Sequence, residues 1–156
     1  MMEYLRPSKG ILLYDYLFSK GGAEKLSFSI LSRMRPVDFC VGLKDDALFP
    51  ADVTSVGGGR FYTLTDYSSK KGWKTLKTLL TFIFSDVFHQ KYEWAIYSGE
   101  YAPMAILRNK NKAKRNILYC HTIPRAPYDL KEFKLSRLGP LNRVAFHILC
   151  NLITAL

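Results

Sequence analysis

Five apolar, β-rich runs alternate with segments whose apolar residues recur at helical spacing, and this alternation restricts the fold more than any other feature of the chain. GILLYDYL (10–17) predicts a buried strand, broken by Lys20-Gly21-Gly22. Ala23, Leu26, Ile30, Leu31 and Met34 then mark one face of a helix that stops before Pro36. VDFCVGL (37–43) predicts a second strand, 44–59 a loop, and RFYTLTD (60–66) a third strand. Leu76, Leu79, Leu80, Ile83, Phe84 and Val87 form a helical stripe that begins near Trp73. EWAIYSG (93–99) predicts a fourth strand, 103–107 a short helix, and RNILYCHT (115–122) a fifth strand. After the proline-rich turn IPRAPYDL, a last helix carries Leu141, Val144, Ala145, Ile148, Leu149, Leu152, Ile153 and Leu156 on one stripe, with Pro140 as an early helical position. Strands and helices in this order predict an α/β fold, a Rossmann-like parallel sheet flanked by helices and joined by right-handed crossovers.

The chain of 156 residues fits one domain of ordinary size, and 48% apolar with 23% charged residues is the balance of a folded chain. A formal net charge of +10 points to an anionic partner, which could be nucleic acid, an acidic membrane surface or a phosphorylated small molecule. Cys40, Cys120 and Cys150 are far apart, odd in number and set in apolar runs, so all three read as reduced, buried thiols rather than zinc ligands. The N-terminal apolar run is short, is broken by Asp15 and lacks a small-residue cleavage site, unlike a signal peptide. No apolar stretch has the length of a membrane-spanning helix.

In an open parallel sheet, ligands bind outside the carboxyl ends of the strands. Those ends are Ser19-Lys20-Gly21-Gly22, Ser98-Gly99-Glu100 and His121-Thr122. Gly21 and Gly22 open a helix, where bare backbone N–H groups and the positive end of the helix dipole suit a phosphate. On spacing alone the pair reads first as a tight turn joining strand to helix, because it lacks the G-x-G-x-x-G dinucleotide pattern, which also argues against an NAD-dependent dehydrogenase. His121 has the position to hydrogen-bond a sugar hydroxyl or a phosphate. Arg125 could fork onto a phosphate and Tyr128 could stack on a sugar, while Asp129 could simply cap the next helix. Glu100 is an acid at a strand end without an acidic partner, a thin basis for acid–base work. His89 and His147 read as structural or surface residues. Lys70, Lys71, Lys74 and Lys77 flank Trp73, a mixture that suits an anionic membrane surface. Arg108, Lys110, Lys112, Lys114 and Arg115 form a second cationic run that could be a plain solvated loop.

Three stretches resemble one family. GGAEK (21–25) resembles the GGAE-type loop of family-4 glycosyltransferases, and YSGEYAP (97–103) resembles the loop after their fourth strand. YCHTIPRAPYDL (119–130) resembles the CHTPPRxxYDL signature of members related to O-antigen mannosyltransferases, with Ile123 in place of a proline. They occur in the family's order over roughly residues 9–135. The resemblance implies a GT-B architecture of two Rossmann-like domains facing a cleft. Residues 9–135 would be the N-terminal, acceptor-side domain, and 136–156 an amphipathic helix leading towards a C-terminal domain that the sequence does not include. It further implies a retaining hexosyl transfer from a UDP- or GDP-linked sugar to a lipid-linked or polysaccharide acceptor, with no metal and no other cofactor, on the cytoplasmic face of the membrane. By the same resemblance, Gly21, Gly22 and Ala23 would lie by the donor phosphates, and His121 would contact the donor sugar. Glu100, Arg125, Tyr128 and Asp129 would line the acceptor side.

The family's paired glutamates and Lys/Arg clamp belong to the domain that this sequence lacks. The chain is therefore expected to be inactive alone and to need a donor-binding domain or subunit. Two other classes stay open: a non-catalytic membrane-surface scaffold, and a basic nucleic-acid-binding module. The last is disfavoured by the lack of a recognisable RNA or DNA motif.

Overall fold

A computed structural model describes residues 9–50, 55–65, 73–121, 128 and 130–154. They fall into two compact units, residues 1–121 and 122–156.

The first unit is built on strands β1 (Gly10–Leu17), β2 (Val37–Lys44), β3 (Gly58–Thr63), β4 (Tyr92–Ser98) and β5 (Ala113–Tyr119). All neighbours pair in parallel, in the order β3-β2-β1-β4-β5. Helix α1 (Gly22–Arg33) joins β1 to β2, and α2 (Trp73–Phe84) precedes β4. A 3-10 turn at Ala102–Ala105 runs into the single-turn helix α3 (Ile106–Asn109) before β5. Parallel neighbours demand crossovers, and the helical stripes between the strands supply them.

Alternation along each strand gives the sheet two apolar faces. On one, Leu12, Tyr14, Val37, Phe39, Val41 and Ile96 pack with Leu31 of α1, and Phe28 and Ile30 lie partly buried beside them. On the other, Gly42 of β2 runs close under Thr78 and Phe82 of α2, which also packs on the 102–105 turn. The chain turns outward from β1 in both directions, to β2 on one side and to β4 on the other. That reversal opens a crevice at the carboxyl ends of β1 and β4. In the second unit, α4 (Lys131–Ser136) is followed by α5 (Pro140–Thr154), which starts at Pro140 as the sequence predicts.

The departures from the sequence reading have physical causes. β3 covers 58–63 rather than 60–66, because Gly58 pairs with Val37 at the start of the ladder. β5 covers 113–119 rather than 115–122, so His121 stands beyond the strand. Cys40 and Cys150 are buried but Cys120 is exposed, since it follows an edge strand whose side chains from Lys114 onward are uncovered. The 76–87 stripe is wider than the face α2 can bury: Leu79 and Phe82 are in the core, while Leu80 and Phe84 are 42% and 67% exposed. The helix also ends before Val87, which is buried from the segment that follows.

Candidate functional site

The crevice at the β1/β4 switch holds a cavity of about 370 Å³. It is lined by Tyr14, Asp15 and Tyr16 of β1, Phe18 and Ser19 after it, Glu24 of α1, Gly99, Glu100 and Tyr101 after β4, and His121 after β5.

The parallel register sets Tyr14 beside Ser98, and Ser98 beside Tyr119. His121, two residues past Tyr119, therefore reaches back over the strand ends. Its Nε2 lies 2.7 Å from Ser98 Oγ, and its ring meets those of Tyr14 and Tyr119. Ser98 is 1% exposed, so its hydroxyl fixes the imidazole rather than meeting a ligand. A serine–histidine pair raises the question of acyl transfer. That chemistry needs an accessible nucleophile and free N–H groups for an oxyanion. Ser98 is buried, and the neighbouring N–H groups of Glu100, Tyr101 and Ala102 are already taken by Asp15.

Asp15 organises the outer wall. Its Oδ2 accepts from the N–H of Glu100 at 2.5 Å and of Tyr101 at 3.0 Å, and its Oδ1 from the N–H of Ala102 at 2.6 Å. These donors open the 3-10 turn that leads into α3, where a carboxylate is favoured by the aligned backbone dipoles. Burial nevertheless outweighs those three N–H groups and raises the carboxyl to about 7; the Glu100 charge adds to the rise.

On the other wall, α1 begins at Gly22 with Gly21 as its N-cap residue and Glu24 in the first turn. Ser19 Oγ donates to Glu24 Oε1 at 3.1 Å. Glu24 is also within hydrogen-bonding reach of the Tyr14 hydroxyl, whose pKa is pushed well up, first by burial and then by the Glu24 charge.

Of the residues singled out from sequence, Glu100 and His121 line the cavity, and the Gly21-Gly22-Ala23 turn borders it through Glu24. Tyr128 is exposed in the second unit, and Arg125 and Asp129 lie outside the described residues, as do Lys70 and Lys71. Trp73 and Lys74 belong to the first turn of α2, and Lys77 is exposed on it. Among the described residues, no three His, Cys, Asp or Glu side chains are grouped to hold a metal ion, and no helix is long and apolar enough to cross a membrane. Asp15, Glu24 and Ser98 were missed as site residues. The available signal for Asp15 was an acid inside the apolar run GILLYDYL, where a charge has to find partners.

Comparisons with known proteins found no matching family model, no matching curated protein and no matching solved structure.

Proposed function

We propose that the chain is the acceptor-side, Rossmann-like half of a retaining GT-B glycosyltransferase resembling family 4. It would move a hexose from a UDP- or GDP-linked donor to a lipid-linked or polysaccharide acceptor, together with a separate donor-binding domain or subunit. One observation carries this reading. The three stretches that resemble the family are far apart in sequence, yet each gives a residue to one cavity: Glu24 from 21–25, Gly99 to Tyr101 from 97–103, and His121 from 119–130. In this reading His121 hydrogen-bonds the donor sugar, Ser98 orients it, and Glu100 accepts from an acceptor hydroxyl. The Gly21–Ala23 turn faces the leaving diphosphate, and the amino end of α1 stabilises its developing charge.

The chain alone should bind nucleotide sugars weakly, with hexose-dependent shifts confined to the amides of Ser19–Lys25 and Ser98–Tyr101. His121→Ala should weaken that binding about tenfold, the loss of one good polar contact. Submicromolar affinity for UDP-glucose or GDP-mannose in calorimetry, or shifts mapping away from the cavity, would count against the proposal.

A second reading, a membrane-surface scaffold, draws on α2. Lys77, Leu80 and Phe84 follow one another at spacings of three and four along that helix, and all three are exposed. Leu107 and Arg108 are exposed on α3, which packs beside α2. Apolar side chains among cations suit an anionic bilayer. The chain should co-sediment with phosphatidylglycerol-containing vesicles and not with phosphatidylcholine alone, and Phe84→Glu should abolish the binding. Equal recovery of wild type and variant with the anionic vesicles would rule this surface out.

A further inference from the structure

The amino end of α1 borders the cavity through Glu24, and it is the place where the proposed function puts a diphosphate. A helix N-terminus offers unpaired N–H groups and a partial positive charge to any anion that reaches it. In this fold an anion is already there. Glu24, third residue of the helix, is 9% exposed and is buried against its own N-terminus. Its Oε2 lies 2.8 Å from the point where a Cβ on Gly21 would stand, so the carboxylate occupies the space that the missing side chain of the N-cap residue leaves. Ser19 donates to Oε1 from the loop before the helix, and Tyr14 of β1 lines the same cavity. The loop before the helix therefore holds the carboxylate across the turn, and Glu24 also forms part of the cavity wall.

We propose that Glu24 is a specificity-determining residue: a built-in anion that keeps phosphate off the amino end of α1 and presents an acceptor oxygen to hydroxyl-bearing ligands in the cavity. The charge argument is direct. A phosphate approaching Gly22 and Ala23 meets a carboxylate that its hydrogen bond from Ser19 holds in the way. A sugar hydroxyl approaching the same point finds an acceptor. Only the consequence for catalysis rests on the proposed function: there, the donor diphosphate reaches this turn after Glu24 has moved off it.

The test needs no donor and no transfer, so its failure is separable from failure of the glycosyltransferase reading. Inorganic phosphate is titrated into the ¹⁵N-labelled chain, and only the amides of Gly22, Ala23, residue 24 and Lys25 are read, because a chain of net charge +10 will collect phosphate elsewhere. Wild type is expected to give no saturable shift at these amides. Glu24→Gln removes the charge and keeps the shape, and Glu24→Ala removes both. Saturable shifts should appear in both variants, stronger in Glu24→Ala, with affinity raised about tenfold or more, the scale of one charge at a helix terminus. Wild type binding phosphate at these amides as tightly as the variants would overturn the proposal. So would the absence of any gain in both variants.

Discussion

Gly99→Ala is expected to cost the first unit about 3–5 kcal/mol in urea denaturation, a large share of the stability of a domain this size. Gly99 has φ +125°, a backbone conformation that side chains rarely adopt. A Cβ there would also overlap the Asp15 carboxyl group, all three of whose outer atoms crowd the position. Strain could be relieved by moving Asp15, but that group is fixed by the N–H groups of Glu100, Tyr101 and Ala102. Shifting it strands buried donors, each worth about 1–3 kcal/mol when left unpaired. The two costs cannot both be avoided, which is why the effect should exceed that of an ordinary glycine substitution. A loss below about 1 kcal/mol would show that the 99–102 wall is not tied to β1 through Asp15.

The parallel sheet was legible because apolar strands and helical stripes alternate, and physics leaves few ways to connect them. Which strand lay at the edge was not legible. RNILYCHT carries the unbroken apolar run Ile117-Leu118-Tyr119-Cys120, yet β5 ends the sheet and leaves Ile117, Leu118 and Tyr119 exposed. Cys120 was misjudged for the same reason: local hydrophobicity reports what a side chain prefers, not whether another element covers it. The α2 stripe failed differently. Helical spacing marks an apolar arc, but the width of that arc which packs is set by the neighbouring 102–105 turn and β2, both distant in sequence.

Glu100 and His121 could be found because chemistry-bearing residues stood at strand ends. Asp15 and Glu24 could not be assigned roles, because their partners come from segments brought in by the fold: Asp15 bonds residues 85 to 87 positions away. The two walls of the cavity thus use carboxylates in opposite ways. Asp15 is spent on backbone and builds the wall, while Glu24 is held by the Ser19 hydroxyl and keeps a face towards the cavity.

That use of Asp15 predicts an unusual pH dependence. A carboxyl whose pKa rises from 3.8 to about 7 on folding binds its proton more tightly in the folded state. Its contribution to stability is then fully present below about pH 3.8 and is lost as the pH climbs through 7, by about 4 kcal/mol in all. Ordinary surface carboxylates push the other way on acidification, so the whole-domain curve mixes both. The comparison with Asp15→Asn isolates the one group, because the amide does not titrate. The stability of wild type minus that of Asp15→Asn, measured by urea denaturation at steps from pH 4 to pH 8, should fall as the pH rises and level off above about 7. A flat difference would mean that burial and the three N–H groups cancel. A difference that grows with pH would mean that the N–H groups outweigh burial, so that the ionised carboxylate is the form the wall was built to hold.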